Sequence, residues 1–567
     1  MIKKNLAFIF RKYHKWIALV IGVQAVIWCV SGLYMTSIHI DIIHGDHLVK
    51  STRIDNLPNK VDQELFAAFD NHGVQFEKLS FVNEQPVLQI VDQDKTIKVN
   101  LLTGKAAPQI TEQDIRYLAS RTYAGDAQLV KVELLASYPA EIGGRNQPVW
   151  KVSYDDLLSS TLYFNAQSAQ LIRARSDLWR WFDFLWMLHI MDYESRENVN
   201  NNLLRVASTL GLILCLGGVG LLFYSFGHRK SKAVTAVGVL KTCHKWLALA
   251  IGIQLVLWMV TGIGFSLLDH EKVSGKYLVA AEPEKSIEFN SQQIHQILNR
   301  FSKVVSIRAS TLDQKSVYQV NLINEVVLLD SASLQPITIA EKNARSIAKH
   351  GYVGEGKLAS VELITTRTTE NRKFSLPLWK VNFTDSENSS LYVNGKTGQI
   401  AGAKTDTWRL FDLFWMLHIM DYGERDDFNH ALIIFAAAIS SFVALSGFIM
   451  LFSVFSLKDL DFRNRFKPKR MIFQSKEGEV VEVNYRWFTR LVDLARKRKI
   501  DIRSDCGGGG SCGLCRIKLV TSSPISEADK RMLSSDQLEQ GYRLSCQINL
   551  QDKMRAEMSH KHLDPLR

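Results

Sequence analysis

Residues 506–515 read CGGGGSCGLC, which sets Cys506, Cys512 and Cys515 at C-x5-C-x2-C spacing, and Cys546 follows in GYRLSCQ. Clustered thiolates bind iron–sulfur clusters or zinc, or they pair as disulfides. A [2Fe–2S] cluster takes four, typically three from one wrapping loop and one from elsewhere. Glycines 507–510 and 513 remove side chains where backbone N–H groups must approach sulfide, and they permit left-handed dihedrals. Zinc usually takes two spaced cysteine pairs, and only one cysteine follows this loop. Disulfides are unusual in the cytoplasm, where this block is expected to lie. The pattern points to a [2Fe–2S] cluster, although plant-type ferredoxins carry x4 where this chain has x5.

Four histidines recur at a fixed offset, His14 with His244 and His189 with His418. The first pair opens two apolar segments, and the second lies on aromatic helices ahead of two others. About 36 Å of helix separates His14 from residue 38, so His14 cannot share an iron with His189. Members of each pair can instead converge across a bundle axis. Two facing imidazoles can supply both axial ligands of a haem b iron, which would make an inner site on His14/His244 and an outer one on His189/His418. Trp179, Phe182, Trp186 and His189 share one helical face, as do Trp408, Phe411, Trp415 and His418. Gly22, Gly32, Gly252 and Gly262 would admit a flat macrocycle or another helix. A plainer reading stays open, because His and Trp also anchor helices at membrane interfaces and glycines pack spans together.

These ligands need elements to hold them. Four segments, near 16–38, 203–226, 246–268 and 431–455, are long and apolar enough to span a bilayer. The first follows a basic stretch, as a signal peptide would, but its near copy deep inside the chain marks a retained span. The net charge of +12 comes from lysines and arginines at the ends of apolar segments, as in MIKKNLAFIFRKYHK, GHRKSK and FRNRFKPKR. That is a membrane pattern, and no nucleic-acid partner is expected. By the positive-inside rule both termini, the 227–245 loop and the 458–470 stretch lie in the cytoplasm. The two long loops then lie in the periplasm of a bacterial inner membrane. Seven cysteines are too few for a disulfide scaffold.

The chain also repeats itself. YHKWIALVIGVQAVIWCVSGLYM returns as CHKWLALAIGIQLVLWMVTGIGF, WRWFDFLWMLHIMDY as WRLFDLFWMLHIMDY, and PVWKVSY as PLWKVNF, all at an offset near 230. An even number of crossings separates the copies, so they run in the same direction about a pseudo-two-fold axis along the membrane normal. The expected order is a first span (1–38), an outer domain (39–177), an aromatic helix with the second span (178–226), and a cytoplasmic loop with the third span (227–268). A second outer domain (269–406), an aromatic helix with the fourth span (407–456), a basic linker (457–470) and a C-terminal domain (471–567) complete it. DIRYLASRTYA and NARSIAKHGYV have helical periodicity, while KVELL, VWKVSY and TLYFN read as strands, so the outer domains are α+β. Neither carries a catalytic pattern. The C-terminal domain reads as strand, turn, strand, basic helix, glycine-rich loop and strand.

The HKW…G…SG spans, the LH element before the next span, and the loops ending in YFNAQSAQLI or YVNGKTGQI resemble the PepSY-associated transmembrane family. The resemblance covers about residues 1–456, twice over. That family includes membrane ferric-siderophore reductases with histidine-ligated b-type haems, so the resemblance implies two haem b groups, on His14/His244 and His189/His418. The block CGGGGSCGLCRIKL…ISEADKRML…GYRLSCQ resembles the ferredoxin domain of the F subunit of sodium-pumping NADH:quinone reductase, over about 471–560. That protein continues into a flavin and NADH domain, whereas this sequence stops at Arg567 and has no Gly-rich dinucleotide fingerprint. A separate cytoplasmic reductase or electron donor is therefore expected. One departure concerns the outer histidines, which stand about a dozen residues before their spans, so the aromatic helices should lie in or under the interface.

The expected fold class is a multi-domain membrane protein. It comprises a four-span α-helical bundle with a parallel internal repeat, two extracytoplasmic α+β PepSY-like domains, and a C-terminal β-grasp-type ferredoxin domain. The expected function is that of a membrane oxidoreductase of ferric-reductase type. Electrons would pass from a cytoplasmic donor through the cluster and the two haems to an extracytoplasmic acceptor, such as a ferric siderophore. Two other readings stay open: a non-catalytic regulator whose outer domains bind a secreted partner, and inward transfer from an outer donor. No catalytic side chain is singled out.

Overall fold

The computed structural model describes residues 2–50, 57, 74–83, 85–92, 95–226, 236–281, 287–313, 315–455, 468–475, 478–485, 490–498, 500, 502, 508–510 and 512–558. Ile9–Ser37, Asn202–Tyr224, Val237–Leu267 and Ala431–Val454 are long and apolar enough to cross a membrane, and they are the four expected spans. The first and third helices start earlier than their apolar runs, at Ile2 and Ala236. His14 and His244 therefore lie inside continuous helix and do not open it. Lysine and arginine end a hydrophobic stretch but are good helix formers, so the helix runs on through them.

The chain divides into two compact units, one of Met1–Leu33, Val206–Val260 and Ile434–Arg567, the other of Tyr34–Arg205 and Thr261–Ile433. In the second unit, the first repeat copy supplies β1 (Gln75–Val82), β2 (Gln85–Asp92) and β3 (Lys95–Asn100). A helix at Glu112–Thr122 follows, closed by a Thr111/Asp114 capping box. Next comes an antiparallel meander of β4 (Leu129–Leu135), β5 (Val149–Tyr154), β6 (Thr161–Asn165) and β7 (Leu171–Arg175). The second copy supplies β8 (Ile287–Glu288), β9 (Val304–Leu312), β10 (Lys315–Leu322), β11 (Val326–Asp330) and β12 (Pro336–Ile337). Its helix is Glu341–Gly351, and its meander is β13 (Lys357–Ile364), β14 (Leu378–Thr384), β15 (Ser390–Asn394) and β16 (Ile400–Lys404).

The two copies are joined through one sheet. β1 pairs with β9, Lys78 opposite Arg308 and Leu79 opposite Ile307, giving the order β12-β11-β10-β9-β1-β2-β3 with β8 also on β1. Beneath it Phe76, Leu79, Leu88 and Ile90 of one copy share a core with Ile297, Ile307, Tyr318 and Val320 of the other. Pairing β1 with β9 leaves fewer open sheet edges than two separate sheets would.

Aromatic helices at Asp177–Ile190 and Asp406–Ile419 follow the two meanders, and each ends at a methionine in the left-handed region, Met191 (φ 54) and Met420 (φ 57). The reversals behind them cap the opposite copy. Asn200 Nδ2 donates to the carbonyls of Phe265, Ser266 and Leu268 at the end of the third span, at 3.4, 3.1 and 2.7 Å. Asn429 Nδ2 does the same for Met35, Thr36 and Ile38 at the end of the first helix, at 3.3, 3.0 and 2.9 Å. Terminal helix carbonyls otherwise lack partners.

In the first unit, the C-terminal domain builds a five-stranded sheet from β17 (Lys469–Gln474), β18 (Val480–Tyr485), β19 (Arg516–Leu519), β20 (Tyr542–Leu544) and β21 (Met554–Glu557). The order is β18-β17-β21-β19-β20, with β17 and β21 parallel. The helix Leu491–Lys497 follows β18, where the sequence pattern put it.

Candidate functional site

His14 projects from the first helix onto the second span, with Nδ1 3.1 Å from the Leu214 carbonyl oxygen. A carbonyl only accepts, so Nδ1 carries the proton and Nε2 keeps its lone pair. His244 repeats this on the fourth span, with Nδ1 3.1 Å from Val443 O and 3.0 Å from Ser446 Oγ. Both rings lie against bare helix backbone. A Cβ added at Gly218 would sit 3.2 Å from His14 Cε1, and one at Gly447 would sit 3.1 Å from His244 Cε1. Each imidazole is thus seated on the span that follows it within its own repeat copy. A bound imidazole oriented through its other nitrogen is the usual arrangement at metal centres.

Two of the four glycines singled out in the spans meet another helix, one of the two uses expected of them. A Cβ on Gly22 would meet Phe448 at 3.4 Å, and one on Gly252 would meet Val219 at 3.3 Å, so both serve helix contacts. Gly32 and Gly262 have nothing within 4 Å of that position among the described residues.

His189 and His418 lie in the last turns of the aromatic helices. Thr261 Oγ1 is 2.8 Å from His418 Nδ1, and the Phe265 ring stands edge-on to His418 at 5.4 Å. Burial lowers His189 to about 4. Burial, followed by the neighbouring His189, lowers His418 to about 3. Both imidazoles are therefore neutral near pH 7 and able to act as ligands.

The reversal behind each helix is locked in matching ways. Trp186 Nε1 donates to Arg196 O and Trp415 Nε1 to Arg425 O, each at 3.0 Å. The Asp192 carboxylate gathers the Ser195 hydroxyl and the N–H groups of Asn198, Glu197 and Glu194, which hold it far below the ordinary carboxyl range. Asp421 takes the N–H groups of Gly423, Asp426 and Asp427. The indoles are thus partly structural, and the residues between each histidine and its span form a reversal. Arg180 ties the first aromatic helix to Glu141 at 3.0 Å, and Arg409 ties the second to Glu370 at 2.9 Å.

In the C-terminal domain Cys515 and Cys546 are buried beside Val492, Ala528, Leu533 and Leu544, and Cys512 is half-buried. Cys506 lies outside the described residues. Gly508, Gly510 and Gly513 have φ of 98°, 65° and 65°, a region L side chains rarely adopt. A Cβ on Gly510 would stand 2.6 Å from Ala528 Cβ. Arg490 Nη1 and Gln547 Nε2 each donate to Gly508 O at 2.9 Å, and Gln547 Nε2 is 3.5 Å from Cys546 Sγ. The loop is pinned by Ser545 N–H to Cys515 O at 2.8 Å, and the Cys546 turn by Leu544 N–H to Asp529 at 2.8 Å. Buried thiols beside a glycine-built loop suit a thiolate-held cluster. Among the described residues, no three His, Cys, Asp or Glu side chains close on one metal position.

The repeat had already marked the four histidines. What residue patterns did not reveal were the Leu214 and Val443 carbonyls and Thr261. Gly218 and Gly447 could have been found, because they fall at the repeat offset on the two spans that receive the inner histidines.

Comparison with known proteins bears on both parts of the chain. Residues 11–450 match the model of the PepSY-associated TM region, and residues 476–551 that of the 2Fe-2S iron-sulfur cluster binding domain. The chain is similar to the F subunit of the Na(+)-translocating NADH-quinone reductase of Histophilus somni, 36% identical over 70 residues, which is 12% of this chain and 17% of that one. It is also similar to the same protein of Chlamydia felis, 42% identical over 67 residues, 12% of this chain and 15% of the other. These matches span about one sixth of the relatives' length.

Proposed function

The chain belongs to the PepSY-associated transmembrane family and carries a 2Fe-2S cluster-binding domain, and from this we propose that it moves single electrons across a bacterial inner membrane, from a cytoplasmic donor to an extracytoplasmic ferric chelate such as a siderophore. A [2Fe–2S] cluster and two b-type haems supply the one-electron chemistry when bound. Cys506, Cys512, Cys515 and Cys546 would hold the cluster. His14 and His244 would be the axial ligands of an inner haem, and His189 and His418 those of an outer one.

One observation carries the haem assignment. Two histidines in separate copies of the repeat each turn Nδ1 to a carbonyl of a neighbouring span and lie on a glycine in the same turn. That orientation leaves Nε2 to a ligand, and its duplication supplies one such nitrogen from each copy. His418, with Nδ1 at the Thr261 hydroxyl, supports the outer assignment.

The lysine and arginine flanks support cytoplasmic termini and periplasmic outer domains, which we read as PepSY-like. The reciprocal caps from Asn200 and Asn429 fit a parallel repeat. The mixed five-stranded sheet with its packed helix fits a β-grasp-type domain. The likeness to the NADH-quinone reductases covers the cluster segment alone, and it supports a cluster that takes electrons from a reductase partner.

Absorption spectra of the purified protein before and after dithionite, with haem and iron counted per chain, test the proposal. Two b-type haems and one [2Fe–2S] cluster are expected. A chain without reduced b-type bands would overturn the electron-transfer reading.

A further inference from the structure

We propose that the second outer domain carries an oxyanion site, built by Arg372, Lys404 and Arg425 around Asp412, that takes a carboxylate group of a small soluble ligand, and that this ligand is an acid-bearing ferric chelate receiving the electron. Only the last clause rests on the proposed function.

The site lies where three segments meet: the loop before β14, the end of β16 and the second aromatic helix. Trp408 and Asp412 are one turn apart and share a face of that helix. Lys404 Nζ lies 3.7 Å from the centre of the Trp408 ring and 5.4 Å from that of Phe374. Phe374 belongs to the loop, its N–H held by Asn371 O at 2.8 Å, and the same loop brings Arg372 Nη2 to Asp412 Oδ1 at 2.8 Å. From the reversal behind the helix, Arg425 Nη1 donates to the other Asp412 oxygen at 2.5 Å.

Charge and donors are both left over. One carboxylate faces three cations, and each of its oxygens already accepts from a guanidinium. The next acid, Glu370, is filled by Lys380 at 3.0 Å and Arg409 at 2.9 Å. Arg372, only 14% exposed, and Arg425 each bury an Nε that donates to nothing. The half-buried Lys404 ammonium donates to no described residue. Buried cations are ordinarily paired and their donors filled. Burial, then the neighbouring Arg372 and Lys373 cations, lowers Lys404 to about 8, so it still holds its proton near pH 7. A carboxylate supplies what is missing, because it accepts from guanidinium and ammonium donors alike and cancels their charge.

The first copy does not repeat the surplus. Gly143 stands where the second copy has Arg372. Arg175 lies over Trp179 as Lys404 lies over Trp408, but it donates from Nε to Glu141 O and from Nη1 to Ala174 O, each at 2.9 Å. Asp412 precedes His418 by about 9 Å of helix, so a chelate held here would sit on the helix that carries an outer-haem ligand.

Equilibrium dialysis of the purified full-length protein against radiolabelled citrate, a tricarboxylate, should show one saturable site per chain that weakens with salt. Arg372→Gly and Lys404→Gln should each weaken it about tenfold or more, and the second breaks no hydrogen bond that the fold needs. Arg196→Gln in the first copy should leave it unchanged. With ferric citrate as acceptor, both second-copy variants should raise KM by the same factor and leave kcat unaltered. Absence of saturable binding, or equal binding by the wild type and Lys404→Gln, overturns the site. Competition by phosphatidylglycerol vesicles, and none by phosphatidylcholine vesicles, would give these cations to a lipid phosphate and overturn the soluble ligand. Weakened citrate binding with an unchanged KM overturns the last clause alone. A chain without haem that binds citrate through these cations overturns the proposed function and leaves the site standing.

Discussion

In the first copy of the repeat His14 lies on Gly217 and Gly218 and gives its Nδ1 proton to Leu214 O. In the second, His244 lies on Ser446 and Gly447 and meets both Val443 O and the Ser446 hydroxyl. The outer elements differ more. Asp183 pairs with Arg196 where both are partly exposed, at 22% and 46%, whereas Asp412 is 4% exposed between Arg372 and Arg425. The first copy has Gly143 where the second has Arg372. The parts that present the inner imidazoles are thus closely matched, as are the Arg180–Glu141 and Arg409–Glu370 pairs, while the buried surroundings of Asp412 are not reproduced at Asp183. A two-ligand site works only if both copies offer the same geometry at the same depth, and an ion pair on one copy has no such counterpart to match.

The strongest way to break the comparison is to remove its two halves separately. His14→Ala and His244→Ala should each abolish the same single b-type haem, with haem per chain falling from two to one in the pyridine haemochrome assay. A variant that keeps both haems would show that the two copies do not share a site.

The outer charges should respond unequally. Asp412→Asn leaves two guanidinium groups without their carboxylate and should cost about 3–5 kcal/mol of unfolding stability. Asp183→Asn breaks a partly exposed pair and should cost about 1 kcal/mol or less. Equal losses in denaturant titrations would remove the distinction between the copies.

Smaller and symmetric effects are expected at the inner glycines. Gly218→Ala and Gly447→Ala each press a methyl on an imidazole that has little room, at a cost of about 1–3 kcal/mol. Inner-haem occupancy should drop alike in both variants, read from the reduced absorption bands. The least change should come from Ser446→Gly, which makes the second site resemble the first. Losing one hydrogen bond to His244 is worth about 0.5–1.5 kcal/mol, and a redox titration should register it as a small shift of the inner-haem midpoint, with Gly217→Ser shifting it the opposite way.

Much of this architecture was legible beforehand. Spans show in local hydropathy, the duplication in matched strings, and the cluster loop in cysteine spacing. Strands and helices such as β5 and Glu341–Gly351 followed from periodicity. The starts of the first and third helices did not, because charged helix formers hide where an apolar run and a helix part company. Nor did the pairing of β1 with β9, whose partners lie in different repeat copies and leave no local mark on either strand. The reversals after Met191 and Met420 were visible only as polar intervals, since a left-handed methionine carries no signal of its own.

The sequence by itself determined which chemical groups are present and how often: four cysteines around a glycine loop, four histidines at one offset, and basic flanks on apolar segments. Side-chain identity and short-range period carry that information. Tertiary structure alone decided that Leu214 and Val443 orient the inner imidazoles, and that Asn200 and Asn429 cap helices of the opposite copy. A backbone carbonyl is the same in every residue, and an asparagine is the same in every polar interval. Each acquires a role only when folding brings a distant partner within hydrogen-bonding or Coulombic reach.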